Sequence, residues 1–347
     1  MHVRAQLGLD LPATVYDESK EGRVVNRTSD SLLTVARMYY VQSETMDAIA
    51  HHLGVSRSTV SRLLKEARDR GLVRVSIVDP DRPLNRMAEL FEKYFHVTAH
   101  LVHVRPGASS IFRLDQVGRM AAGLLSNAVQ DGDIVGIAWG TTVSAIATHL
   151  HPRDLTGVTV IGLNGGANHQ TTGLPYVGSI LHKFAQAFGG QEQLLALPAF
   201  FDDPATKEAM WREQSTRHIL AVRANCRVAL FGVGGLHSEL QSHVYSSNYL
   251  SETDLRHLRE QNVVGDVCTV MLREDGSYRD LEINRRATGM TPAELQTVPR
   301  RICVVSGLSK AAPVLGALRA GVATDLVIDA ETARAVLNRM KPGIRVV

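Results

Sequence analysis

Two stretches, Ile134-Val135-Gly136-Ile137-Ala138 and Ile302-Cys303-Val304-Val305, are apolar or small throughout and lack the alternation of a strand with one wet face. Such a strand is stable only in a sheet covered on both sides, which requires helices above and below it. The chain from residue 98 onward supplies them. Short β-branched runs at 98–104, 134–138, 158–163, 194–197, 227–233, 267–272, 301–306 and 326–329 alternate with helical patterns near 114–129, 143–149, 177–188, 204–222, 252–261, 310–320 and 332–340. Repeated strand-helix units predict a parallel α/β sandwich. Glu274-Asp275-Gly276-Ser277 predicts a tight turn that adds one antiparallel excursion.

A chain of 347 residues leaves room for a smaller domain ahead of this one. Three apolar stripes there share the spacing i, i+3, i+4, i+7: Leu32, Val35, Ala36, Tyr39; Met46, Ile49, Ala50, Leu53; and Val60, Leu63, Leu64, Ala67. Each predicts a helix that buries one side. Gly54 stands where the second helix must reverse, suited to a left-handed residue, and Ser56 is placed to cap the third. With its apolar stripe inward, the third helix presents Ser56, Arg57, Ser58, Thr59, Ser61, Arg62 and Lys65, groups that hydrogen-bond to base edges and phosphates. Between Ser56 and Gly71 there are five basic and two acidic residues, while the whole chain carries only +3. The positive charge is local, which fits docking to one DNA groove better than coating nucleic acid. A solvated helix of an ordinary bundle would not need turn glycine, cap and Ser/Thr/Arg face together. The alternating run 72–78 predicts a strand beside this helix, a small wing.

The expected organisation is an arm at 1–27 without periodicity, a winged helix-turn-helix DNA-binding domain at 28–79, a linker and connecting helix at 80–97, and an effector-binding domain at 98–347. Pro80 and Pro83 end the wing and stiffen the linker. Leu84, Met87, Ala88, Phe91 and Phe95 form one stripe of the connecting helix, which packs either on the large domain or on a second subunit.

Four expected strands run into small polar loops: Trp139-Gly140-Thr141-Thr142, Asn164-Gly165-Gly166-Ala167-Asn168, Gly232-Val233-Gly234-Gly235 and Ser306-Gly307-Leu308-Ser309-Lys310. In an open parallel sheet the carboxyl ends of the strands form the binding rim. Gly140 permits close backbone approach, Thr141 and Thr142 offer hydroxyls, and the next helix aims free N–H groups at the loop. Lys310 can reach the same anion or polyol, and Ser309 can cap its helix. Taken singly, a glycine after a strand is only a turn and a helix-start lysine is only solvated; four loops on one rim make a ligand site. Trp139 is either a stacking wall or core. Gly232-Val233-Gly234-Gly235 faintly resembles a dinucleotide fingerprint, but no helix opens directly after it, so no nicotinamide cofactor is expected.

Cys226, Cys268 and Cys303 are far apart, each inside an apolar run, and read as buried reduced thiols. The histidine pairs have no cysteine or carboxylate at ligand spacing, so no metal is expected. Residues 1–20 lack a secretory apolar core, and no apolar run of spanning length occurs; a cytoplasmic protein without membrane partners is expected.

Met38-Tyr39-Tyr40, then Ile49-Ala50-x-x-Leu53-Gly54-Val55-Ser56-Arg57-Ser58-Thr59-Val60-Ser61-Arg62-Leu63-Leu64-Lys65-x-Ala67, resembles the helix-turn-helix of the SorC family of bacterial transcriptional regulators, also described as SorC/DeoR-type. Gly136-Ile137-Ala138-Trp139-Gly140-Thr141-Thr142-Val143, Gly162-Leu163-Asn164-Gly165-Gly166, Leu197-Pro198-Ala199, Val228-Ala229-Leu230-Phe231-Gly232-Val233-Gly234, Gly265-Asp266-Val267 and Gly307-Leu308-Ser309-Lys310-Ala311 follow in that family's order, over about residues 30–340. The resemblance implies an effector domain with the fold of glucosamine-6-phosphate deaminase and ribose-5-phosphate isomerase, used for sensing sugars or phosphosugars, in homodimers or homotetramers. It implies effector contacts at Gly140, Thr141, Thr142, Asn164, Gly165, Gly166, Asp266 and Lys310. The turn Ser43-Glu44-Thr45-Met46-Asp47 departs from the family, where a glutamine is common, and the N-terminal arm is longer than usual.

The expectation is thus a regulator of a carbohydrate-catabolism operon, binding operator DNA and controlled by a sugar, polyol or sugar phosphate. The alternative is a sugar-phosphate isomerase or deaminase with an appended DNA-binding domain, for which Asp266 is the one evident general base. Neither the particular ligand nor repression against activation is legible.

Overall fold

The structure is a computed structural model that describes residues 29–73, 82–172, 174–240 and 242–340. The chain divides at residue 80 into two compact units. The expected arm at 1–27 and most of the expected wing and linker lie outside the described residues.

In the first unit, α1 (Ser29–Tyr40), α2 (Met46–Leu53) and α3 (Arg57–Asp69) surround a core of Leu32, Val35, Ile49, Val60, Leu63, Leu64 and Ala67. These are the residues of the three stripes. Gly54 ends α2 at φ 64°, and its N–H donates to the carbonyls of Ala50 and His51. Ser56 Oγ accepts from the N–H of Thr59 and caps α3. One cap escaped the sequence reading: Thr45, within the departing turn, accepts from Ala48 N–H and starts α2.

Among its described residues the second unit has ten strands: β1 (Thr98–Val102), β2 (Ile134–Ile137), β3 (Thr159–Gly162), β4 (Gln191–Gln193), β5 (Val228–Gly232), β6 (Gly234–Gly235), β7 (Val263–Val267), β8 (Val270–Arg273), β9 (Arg300–Val305) and β10 (Asp325–Asp329). Seven form one sheet in the order β1-β10-β9-β5-β2-β3-β4, with every pairing parallel. Apolar clusters cover both faces. One joins Val117, Leu125 and Phe184 to Val135, Ile137 and Leu230; the other joins Met87, Phe91, Leu315 and Val336 to Phe231, Val305 and Leu326. The connecting helix Arg82–Phe95 therefore packs on the large unit, resolving the choice left open by its stripe. Chain direction across the sheet reverses between β2 and β5, so a crevice opens there at the strands' carboxyl ends.

Several elements differ from the sequence reading. The strand expected at 194–197 lies at Gln191–Gln193, a polar edge segment that only its pairing with β3 makes a strand. The helix expected at 204–222 is two, Pro204–Arg212 and Gln214–Ala224, broken by the extended backbone of Glu213. The single strand expected at 267–272 is a hairpin, β7 and β8, joined through Cys268 and Thr269, both at positive φ (49° and 68°). Neither type favours that region. Here Asp266 Oδ2 accepts the Thr269 N–H at 3.0 Å and holds the turn. The tight turn at 274–277 is present, with Gly276 at φ 88°, but it follows the hairpin instead of making it.

At the opposite end of the sheet, Asp325 receives His100, Arg300 and Thr324. Burial alone would raise its carboxyl, but these bonds outweigh burial and hold it at about 2. A folded pKa below the unfolded value contributes stability above pH 4 that is lost as pH falls through 4 to 2. Asp325→Asn should therefore cost about 1–2 kcal/mol at neutral pH, after discounting for its partial solvation, and nothing near pH 2. Denaturant titrations at the two pH values would check it; an equal loss at both would assign the effect to packing.

Candidate effector cleft and DNA-binding face

The loops after β2, β3, β5 and β9 meet in one cleft at that reversal, with about 620 Å³ of unfilled space including its open mouth. Gly140, Thr141, Thr142, Asn164, Gly232, Gly234, Ser306 and Lys310 come from the four loops. Asp266 comes from β7 of the small antiparallel sheet, and Leu114, Leu240, Ser242, Val244, Cys268 and Thr269 also line the cleft. These last six were missed. They reach the cleft from elements remote in the chain and carry no local signal.

Lys310 ends the 3₁₀ turn Leu308–Lys310 and is 8% exposed, folded into the cleft and not solvated. Burial pushes its ammonium down from the usual lysine range, opposed by the charge of Asp266. Burial pushes Asp266 up, opposed by the Tyr245 hydroxyl, the Thr269 N–H and Lys310. Among the described residues two buried acceptors here, Asn164 Oδ1 and Asp266 Oδ1, have no hydrogen-bond partner, the Tyr245 hydroxyl donating to Met271 Sδ. Each orphan costs about 1–3 kcal/mol unless a donor meets it. A molecule presenting hydroxyls beside an ammonium-binding oxygen satisfies both. Gly234 is required by this geometry, since a Cβ there would stand 1.9 Å from Asp266 Oδ1.

Trp139 serves as wall and core at once: it lines the cleft, stacks on Tyr249 at 5.0 Å, and donates from Nε1 to the Gly165 carbonyl at 2.8 Å. Gly165 and Gly166 themselves are not among the residues that line the cleft. A Cβ on Gly165 would strike the Leu197 and Pro198 carbonyls, and one on Gly166 the Val177 side chain, so packing accounts for both. Ser309 does not cap a helix; its Oγ accepts from Glu239 N–H. The helix opened by Gly140, Thr141–Ala147, has only seven residues, so the ligand-directed weight falls on side chains more than on a helix dipole.

Ser56 at the cap of α3, and Arg57, Ser58, Ser61, Arg62 and Lys65 on it, are exposed. Thr59 is half-buried, its hydroxyl 2.9 Å from Ser56 Oγ, so it belongs more to the cap than to the outer face. Arg57 lies 3.7 Å from Asp47, and Arg62 Nε donates to the Ser58 carbonyl at 3.4 Å. Both guanidiniums stay largely free to meet a phosphate or a base edge. Arg68, exposed on the same helix, extends the basic face beyond the expected residues.

Among the described residues no cluster of three metal-binding side chains occurs, and no helix is long and apolar enough to cross a membrane. The three cysteines are free and buried.

A helix-turn-helix with a basic outer face, carried on one chain with a polar cleft at the reversal point of a parallel sheet, defines a ligand-responsive transcriptional regulator. Residues 82–338 match the family described as a "putative sugar-binding domain", and residues 32–82 match the Crp-like helix-turn-helix domain. The chain is 33% identical to the deoxyribonucleoside regulator of Bacillus subtilis (strain 168), over 88% of this chain and 96% of that protein. A crystal structure of a domain of a possible sugar-binding transcriptional regulator from Arthrobacter aurescens TC1 is 40% identical, with TM-score 0.68 over 73% of this chain and 97% of that one. The full-length sorbitol operon regulator SorC from Klebsiella pneumoniae superposes with TM-score 0.67 at 26% identity, over 88% of this chain and 98% of that one. The chain belongs to the SorC family of transcriptional regulators, through its sugar-binding domain.

Proposed function

We propose that this regulator binds operator DNA through Ser56, Arg57, Ser58, Thr59, Ser61, Arg62 and Lys65 of α3, with Arg68 at its edge, and controls a carbohydrate-catabolism operon. Its effector is a sugar, polyol or sugar phosphate held by Gly140, Thr141, Thr142, Asn164, Asp266 and Lys310. The observation that carries this reading is the pair of buried acceptors, without a partner among the described residues, beside a buried lysine. The names of two relatives, a deoxyribonucleoside regulator and a sorbitol operon regulator, support the ligand class. The protein works in the cytoplasm as a homodimer or homotetramer. The effector acts by preferring one arrangement of subunits and so changing the spacing of two recognition helices, since equal affinity for both arrangements would switch nothing.

The test is fluorescence anisotropy of the purified chain on DNA upstream of its own gene, with sugars, polyols and sugar phosphates added in turn. Salt-sensitive binding altered by one compound is expected; absence of binding would overturn the reading. Arg62→Ala should weaken operator binding by about 1–3 kcal/mol, roughly tenfold or more, because it removes a base or phosphate contact. A change within twofold would remove Arg62 from the interface. We infer that the cleft senses and does not catalyse: an acceptor for ligand hydroxyls explains Asp266 fully. Turnover of ribose 5-phosphate or glucosamine 6-phosphate, lost in Asp266→Asn, would reverse this.

A further inference from the structure

We propose that the outward face of the helix Ser110–Ala128 docks against the same face of a second copy of this chain, antiparallel about a two-fold axis. This deepens the self-association proposed above and depends on neither the DNA nor the effector reading.

The helix is apolar on both sides. Its inner face buries Val117, Ala121 and Leu125 in the core, yet Ile111, Phe112 and Met120 are 73, 42 and 45% exposed. Those three are most of the large apolar side chains left exposed among the described residues. The other one in this unit, Leu308, borders the same end of the helix, because Glu239 accepts from Ser110 Oγ at 2.6 Å while its N–H donates to Ser309.

Gly123 is the second observation. A mid-helix glycine costs about 1 kcal/mol relative to alanine. Gly118 in the same helix has a reason, since a Cβ there would lie 3.6 Å from the Ala145 backbone and His149. A Cβ on Gly123 would meet nothing within 4 Å, and its φ is not left-handed. Nothing among the described residues of the chain calls for a glycine at this exposed position.

A second copy does. At about 100° per residue, Phe112, Gln116, Arg119 and Gly123 run along one line of the helix, with Asp115 on one flank and Met120 on the other. Laid antiparallel on itself, this line brings the Phe112 ring of each copy over the Gly123 of the other, and Gln116 over Arg119. A two-fold axis keeps like flanks together, so Arg119 of one copy also comes beside Asp115 of the other. Within one chain Asp115 already holds His149 Nε2 at 2.8 Å and accepts from Gln116 Nε2 at 3.1 Å, while Arg119 lies 3.7 Å away and is 67% exposed, leaving its guanidinium free for a second carboxylate. The helix also carries Leu114 in the effector cleft, so ligand and docking share one rigid element.

Sedimentation equilibrium of the full chain and of Gly123→Leu and Phe112→Glu tests this. Each variant should raise the dissociation constant of one assembly step by about thirtyfold or more. Gly123→Leu should leave the unfolding temperature of the dissociated chain unchanged or higher, since its side chain enters open space, and this separates lost docking from lost folding. Unchanged association in both folded variants would place the interface elsewhere and overturn the proposal alone. A wild-type chain that stays monomeric at all concentrations would overturn self-association as well.

Discussion

Asp329→Ala is expected to lower the unfolding free energy by about 3–5 kcal/mol. Asp329 is fully buried at the end of β10, and Oδ1 accepts from Arg113 at 2.6 Å. Thr332 N–H and hydroxyl and the Gly307 N–H fill the remaining positions of its two oxygens. Arg113 is 6% exposed, and its other carboxylate partner is Glu331 at 2.6 Å. Without Asp329 a buried guanidinium keeps one of two counter-charges, and the desolvation of the other half is left unopposed. The substitution should also disturb the cleft, because Gly307 opens the 3₁₀ turn that sets Lys310. Urea titration measures the first effect; a loss under 1 kcal/mol would mean that solvent reaches Arg113 freely. Removing both charges with Arg113→Met and Asp329→Leu should recover much of the loss, since no buried ion then lacks its partner.

Lys310→Met should abolish the response to effector, with affinity falling at least about a hundredfold, while operator binding without effector stays within twofold. Among the described residues Lys310 is the one cationic side chain lining the cleft, and methionine fills its volume without its charge. Its loss also acts through Asp266. Burial already raises that carboxyl, and Lys310 is the cation opposing the rise. Without the ammonium Asp266 moves further toward its protonated form and loses acceptor strength for ligand hydroxyls. The two losses reinforce each other because they fall on one ligand. Anisotropy on operator DNA with the active compound would show it: a variant released from DNA at the wild-type concentration would remove Lys310 from the site, and one that no longer binds DNA would show that the cleft also holds the active assembly.

How far the site was legible follows from which residues are local to a strand end. Thr141, Thr142, Asn164 and Lys310 stand just beyond apolar runs, so assigning the strand also assigns the rim. Asp266 came from family resemblance; no spacing in the chain ties it to Lys310, and only the small antiparallel sheet carries it into the cleft. Gly165 and Gly166 look like ligand-approach glycines, yet they answer to the carbonyls of Leu197 and Pro198 and to Val177. A glycine admits any close neighbour, ligand or protein, and sequence alone does not say which.

The sequence by itself determined the elements whose signal is periodic or punctuated: three helices with one-sided stripes, the Gly54 turn, the Ser56 cap, and a parallel sheet demanded by strands apolar on both faces. These are short-range consequences of 3.6-residue and two-residue periods and of backbone freedom at glycine. Only the tertiary structure decided that Met87 and Phe91 join the large core, that 263–273 turns back through two left-handed non-glycine residues, and that Lys310 is buried opposite Asp266. Each of those depends on groups far apart in the chain, where a favourable contact outweighs local preference. Such energies are absent from any window of the sequence and arise only when the sheet is assembled.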